Sequence, residues 1–109
     1  MSITDTLNDR ESKYGSFNEL AVAIQSLKSV FRASPAYNRM TAVQREAMEM
    51  IITKQCRIWY GDPMHFDSWR DTAGYAALAV EEFHPREDGS MMEPAANPTT
   101  PLELVQAAE

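Results

Sequence analysis

The segment TAVQREAMEMIITKQCRIWYGDP, residues 41–63, decides the fold. It opens on Thr41-Ala42-Val43-Gln44, the capping-box pattern in which a threonine hydroxyl and a glutamine amide each satisfy a helix-start N–H. It then runs without Gly or Pro to Tyr60 and stops at Gly61-Asp62-Pro63. On a helical wheel Val43, Ala47, Met50, Ile51 and Ile58 form one apolar side, while Met48, Ile52, Cys56 and Trp59 form another nearly opposite. A helix apolar on both sides is central. It is either sandwiched inside a bundle or buried between subunits. Glu46, Glu49, Thr53, Arg57 and Tyr60 share the polar strip between the two sides.

Working outward toward the N-terminus, Ser16-Phe17-Asn18-Glu19 has the same capping pattern. Leu20, Ile24, Leu27 and Phe31 follow it at helical spacing, so a second helix is expected from there to about Ser34. Pro35 closes it. Ahead of this helix, Tyr14-Gly15 breaks a brief helical stretch that holds Ile3 and Leu7, with Ser2 or Thr4 as its cap. On the other flank, Asp67 or Ser68 caps a last helix to about Phe83, with Trp69, Ala73, Ala76, Val80 and Phe83 on one face. Ala and Gly along this face would let a neighbouring helix approach closely, and Asp71, Tyr75 and Glu82 point away from it. The expectation is an all-α domain over residues 1–84, a small bundle of three main helices plus a short N-terminal one. Residues 85–109, punctuated by Pro85, Pro94, Pro98 and Pro101, contain too little apolar material to repay the entropy of ordering. They read as a flexible tail, with Thr100-Pro101-Leu102-Glu103 starting a short docking helix over 101–108.

A net charge of −6 argues against a general nucleic-acid or anionic-membrane surface, because both need a cationic footprint. No run approaches the ~18 apolar residues of a membrane span, and the N-terminus lacks the order of a signal peptide. The single cysteine, Cys56, fits a reducing compartment and a buried position. The location expected is cytoplasmic.

The sharpest chemical pattern joins Glu46 and Glu49, one turn apart, with Asp67 and Asp71 at the start of the next helix. Two such pairs meeting across antiparallel helices supply the hard oxygen ligands that Mg²⁺ requires, and a bound Mg²⁺ neutralises phosphate charge and activates water. The same residues also suit a solvated helix face, with Asp67 an N-cap and Asp71 an acid in the first turn. Lys54 and Arg57, close to the acidic strip, suit either a phosphate or a neighbouring carboxylate. Tyr14 beside Gly15, and Tyr75 on the side of Asp71, complete the ligand-facing candidates. His65, His84 and Cys56 give no zinc spacing, and there is no phosphate-loop, nucleophile-elbow or Cys-x-x-Cys motif.

Lys13-Tyr14-Gly15-Ser16-Phe17, then Gln44-x-Glu46-Ala47-x-Glu49-Met50-Ile51-x-x-Lys54-x-x-Arg57-Ile58, then Gly61-Asp62-Pro63 and Asp67-Ser68-Trp69-x-Asp71-x-Ala73-Gly74-Tyr75-Ala76 together resemble a family of small proteins encoded by tailed bacteriophages and prophages. More distantly the chain resembles the all-α nucleoside triphosphate pyrophosphohydrolases of the MazG and dUTPase type, which bind Mg²⁺ through a Glu-x-x-Glu and a later Glu-x-x-Asp pair. Glu46 and Glu49 match the first pair. The second departs, since Ser68 stands three residues before Asp71 and Asp67 four before. The resemblance implies a phage-encoded protein in the infected host's cytoplasm that binds or processes a nucleotide or another phosphate-bearing small molecule. The alternative is a non-catalytic protein that binds a host component. A homodimer is expected through Met48, Ile52, Cys56 and Trp59, because a small monomer would expose that stripe.

Overall fold

The computed structural model describes residues 2–95. Four helices carry the fold: α1 Ile3–Tyr14, α2 Phe17–Arg32, α3 Ala42–Tyr60 and α4 Phe66–Val80. A single 3-10 turn, Tyr37–Arg39, lies between α2 and α3. The all-α architecture expected from the sequence is the one observed. Ser2 caps α1, its hydroxyl accepting from the Asp5 amide at 3.1 Å. Ser16 stands at the N-cap of α2 in extended conformation but makes no side-chain cap bond. Asp67 and Ser68 lie inside the first turn of α4, and the cap position belongs to His65. Asp62 shapes the preceding turn, its carboxylate accepting from the Met64 amide at 2.9 Å.

Helix α3 lies between α2 and α4, with α1 touching both α2 and α3. On the α2 side Ile52 and Cys56 pack with Leu20, and Ala23, Ile24, Leu27 and Phe31 close over them. Ala47 and Ile58, from the other apolar side of α3, are buried as well. Both sides of the central helix are therefore covered within one chain. This corrects the expected dimer stripe: Ile52 and Cys56 are core residues under α2, leaving only Met48 and Trp59 of that set exposed.

Helix α4 also differs from expectation, in which face it turns inward. Ser68 is buried, and Asp71, Thr72, Tyr75, Ala79 and Glu82 are half-buried along one line, while Trp69, Ala73, Ala76 and Val80 are exposed; of the face expected to turn inward, Phe83, beyond the helix end, is half-buried. Specific polar pairs explain the choice. Lys54 on α3 binds Asp71, and the buried Thr41 hydroxyl donates to Glu82 at 2.6 Å. A polar group removed from water needs a partner, and these partners lie on the polar face of α4 and just beyond its C-terminal end.

Thr41 anchors one end of this packing. Its hydroxyl accepts from the Gln44 amide at 3.0 Å while the Gln44 side chain accepts from the Thr41 amide at 3.0 Å, completing the capping box. At the joint between α1 and α2, Gly15 adopts φ +81°, and a Cβ there would overlap the Tyr60 carbonyl at the end of α3. A glycine is required twice over at this position, by conformation and by space.

Beyond α4 the chain does not become featureless at Pro85. β1 His84–Pro85 and β2 Met91–Met92 pair antiparallel in a small hairpin. Asp88 accepts from both the amide and the hydroxyl of Ser90 in its turn, which holds its carboxyl below the usual range. The expected docking helix over 101–108 lies outside the described residues. No helix among the described residues is long and apolar enough to cross a membrane.

Candidate functional site

The four candidate magnesium ligands do not meet. Glu49 turns toward α2, where the Arg32 guanidinium holds it at 2.5 Å and Lys28 approaches to 3.8 Å. Glu46, one turn earlier, is exposed. Asp71 faces α3 and accepts an ion pair from Lys54 at 3.0 Å; this ammonium holds its carboxyl below the usual carboxylate range. Asp67 is exposed and pairs with Arg70 at 3.3 Å within α4. No group of three or more His, Cys, Asp or Glu among the described residues is placed to hold a metal. In this arrangement the carboxylates fit lysine and arginine partners and do not fit a shared magnesium ion.

Lys54 and Arg57 part company as well. Lys54 belongs to the α3–α4 packing, where Tyr75 is also half-buried. Arg57 lines a cleft of about 600 Å³ between α1, α2 and the C-terminal part of α3. Its walls are Leu7 and Arg10 from α1, Gly15 from the joint, Phe17, Leu20, Ala21, Ile24 and Gln25 from α2, and Arg57. Tyr14, next to Gly15, ends the helix that forms one wall.

The helices explain how this cleft arises. Leu20 and Ile24 stand one turn apart on the inward face of α2. Leu7 and Arg10, three apart on α1, share one face of that helix. Gly15 brings the joint against Tyr60 and so fixes where α1 leaves α2. Among the described residues, the product is an apolar wall carrying the guanidinium groups of Arg10 and Arg57 and the side-chain amide of Gln25. Phe17, 79 % exposed, offers an aromatic face to this cleft. Guanidinium groups on an apolar wall suit a ligand that joins an anionic group to a flat or apolar body.

Of these groups the sequence singled out Arg57 and the Tyr14–Gly15 joint. Arg10, Phe17 and Gln25 carried no local signal, because their meeting with Arg57 depends on how α1 folds back. Lys28 and Arg32 did carry one: four apart on α2, they form a cationic pair on one face, which Glu49 meets.

A second concavity of about 610 Å³ runs along the other side of α2, between it and the end of α3, lined by Asn18, Val22, Ala23, Leu27, Trp59 and Tyr60 among others. It is largely apolar, and among the described residues that line it the charged group is the carboxylate of Glu19.

Residues 3–82 match a family defined as a domain of unknown function, DUF6378, and the chain belongs to that family. The match spans α1 to α4 and stops before the hairpin. No curated protein and no solved structure matches the chain.

Proposed function

We propose that the protein binds a phosphate-bearing small molecule, a nucleotide being the class that fits best, in the cleft between α1, α2 and α3. The observation that carries this reading is that Arg10 and Arg57 line one largely apolar cleft together with Phe17. The guanidinium groups would take phosphate oxygens, Phe17 and Ile24 the base, and Gln25 a polar edge of it. The resemblance to nucleotide pyrophosphohydrolases agrees on the class of ligand, though its acidic pair, Glu46 and Glu49, lies outside this cleft; the resemblance to phage-encoded proteins implies the infected host's cytoplasm as the location. Binding is what the cleft supports. Catalysis is not part of this reading; Mg²⁺ enters as an ion carried by the nucleotide.

Thermal unfolding against a panel of nucleoside mono-, di- and triphosphates, with and without Mg²⁺, tests it. A ligand at 100 times its Kd adds about 2.7 kcal/mol of stability, a shift easily read. Each arginine replaced by glutamine removes a charge-assisted bond worth about 1.5–3 kcal/mol, so binding should weaken by roughly 10- to 100-fold. Arg10→Gln, at an exposed position, reports without disturbing the core. No stabilisation by any nucleotide, or stabilisation indifferent to both Arg10→Gln and Arg57→Gln, overturns the proposal.

A second reading, a non-catalytic protein that binds a host component, draws on the apolar concavity beside Trp59 and Tyr60. A stoichiometric host partner whose binding survives Arg57→Gln and is lost with Trp59→Ser favours it.

A further inference from the structure

The sequence of α4 is amphipathic, yet its polar side faces α3 and its apolar side faces out. Phe66 is 69 % exposed, Trp69 55 % and Val80 67 %, and Ala73, Ala76 and Ala77 between them are exposed too. At 1.5 Å per residue this makes a stripe about 22 Å long. A contiguous outward stripe with two large aromatics and a valine is the kind of surface that soluble chains cover.

We propose that a second copy of this chain covers it, with the two α4 helices packed antiparallel about a twofold axis near Tyr75. The reason for choosing a second copy is charge. Arg70 and Glu81 are both exposed and lie on the same flank of the stripe, eleven residues apart by their numbering. A twofold axis perpendicular to antiparallel helices keeps that flank on the same side and reverses the direction along it. Arg70 then stands opposite the partner's Glu81, and Glu81 opposite the partner's Arg70. The stripe matches itself in both apolar character and charge, as an isologous interface must. Ala73 and Ala77 lie at the middle, where the two helices come closest, and their small side chains allow the approach. Trp69 of each copy packs near the partner's Val80. Arg70 already pairs with Asp67 at 3.3 Å and Asp71 at 3.5 Å on its own helix, and the partner's Glu81 would share its guanidinium with them.

This dimer differs from the one expected at Ile52 and Cys56, and it leaves the cleft at Arg10 and Arg57 untouched. Its success or failure is therefore separable from that of ligand binding. Light scattering or sedimentation of the full chain from about 5 to 200 µM reads the mass directly. The expected result is a concentration-dependent shift to twice the chain mass. Ala77→Glu, on the open face and away from the core, should give a monomer with unchanged helical circular dichroism. Arg70→Glu should weaken dimerisation by roughly tenfold or more, and Arg70→Glu combined with Glu81→Arg should restore it, since reversing both charges preserves the pairing. A monomer throughout the range overturns the proposal. So does a dimer indifferent to Ala77→Glu, or a double charge reversal no better than the single one.

Discussion

Lys54 and Asp71 bind each other across α3 and α4 at 3.0 Å, the ammonium on one helix and the carboxylate on the next. Each had been a candidate for a different role, one gripping phosphate and the other a metal. Together they form a cross-helix ion pair that helps turn the polar face of α4 inward.

The pair makes stability depend on pH. The Lys54 hydrogen bond holds Asp71 below its ordinary value, so its contribution is present above the unfolded carboxylate pKa, about 3.9, and is lost as pH falls through the folded value. Asp71→Asn should be less stable than wild type near pH 6, and the gap should narrow on approaching about pH 3. Urea unfolding at intervals across that range measures it. A gap that widens toward acid contradicts the assignment.

Thr41 ties the start of α3 to the end of α4 through one hydroxyl that accepts from Gln44 and donates to Glu82. Thr41→Ala should cost about 1–2 kcal/mol, the scale of a lost cap, and leave a half-buried carboxylate short of a donor. Thr41→Ser keeps the hydroxyl and should recover most of the loss. Denaturant midpoints of the three proteins decide.

Gly15→Ala is expected to be costly out of proportion to its size. It places a side chain at positive φ and against the Tyr60 carbonyl, a combination worth about 2–4 kcal/mol. Because Gly15 also lines the cleft, ligand binding should weaken alongside stability. An alanine variant as stable as wild type would mean that the joint is not packed as described.

Cys56 is fully buried and its thiol is pushed up by that burial, so it should resist alkylation near neutral pH. Labelling should follow global unfolding, rising in step with denaturant. Rapid labelling of the native chain would place Cys56 outside the core.

Much of this fold was legible in the sequence, and the reasons are local. Thr41 and Gln44 marked the start of α3 because a capping box involves only neighbours, and Pro35 and Gly61 marked stops for the same reason. The two apolar sides of α3 correctly made it central. The orientation of α4 was not legible. Trp69, Ala73 and Val80 form its more apolar face, and only the Lys54–Asp71 and Thr41–Glu82 pairings, both between distant residues, show why the other face turned in. The candidate site divides in the same way. Arg57 stood out beside the acidic strip, whereas Arg10 and Phe17 reach the cleft through the fold of α1 on α2, which no spacing along the chain encodes.

Whether the cleft binds a nucleotide is tested most directly by a nitrogen-15 correlation spectrum recorded while a nucleoside triphosphate is added, with and without Mg²⁺. Saturable shifts are expected at the amides of Gly15, Leu20, Ile24 and Gln25 and at the Arg57 side chain, absent in Arg10→Gln with Arg57→Gln. Spectra that do not move, or shifts gathered at Lys54, Asp71 and Tyr75 instead, would contradict binding in this cleft.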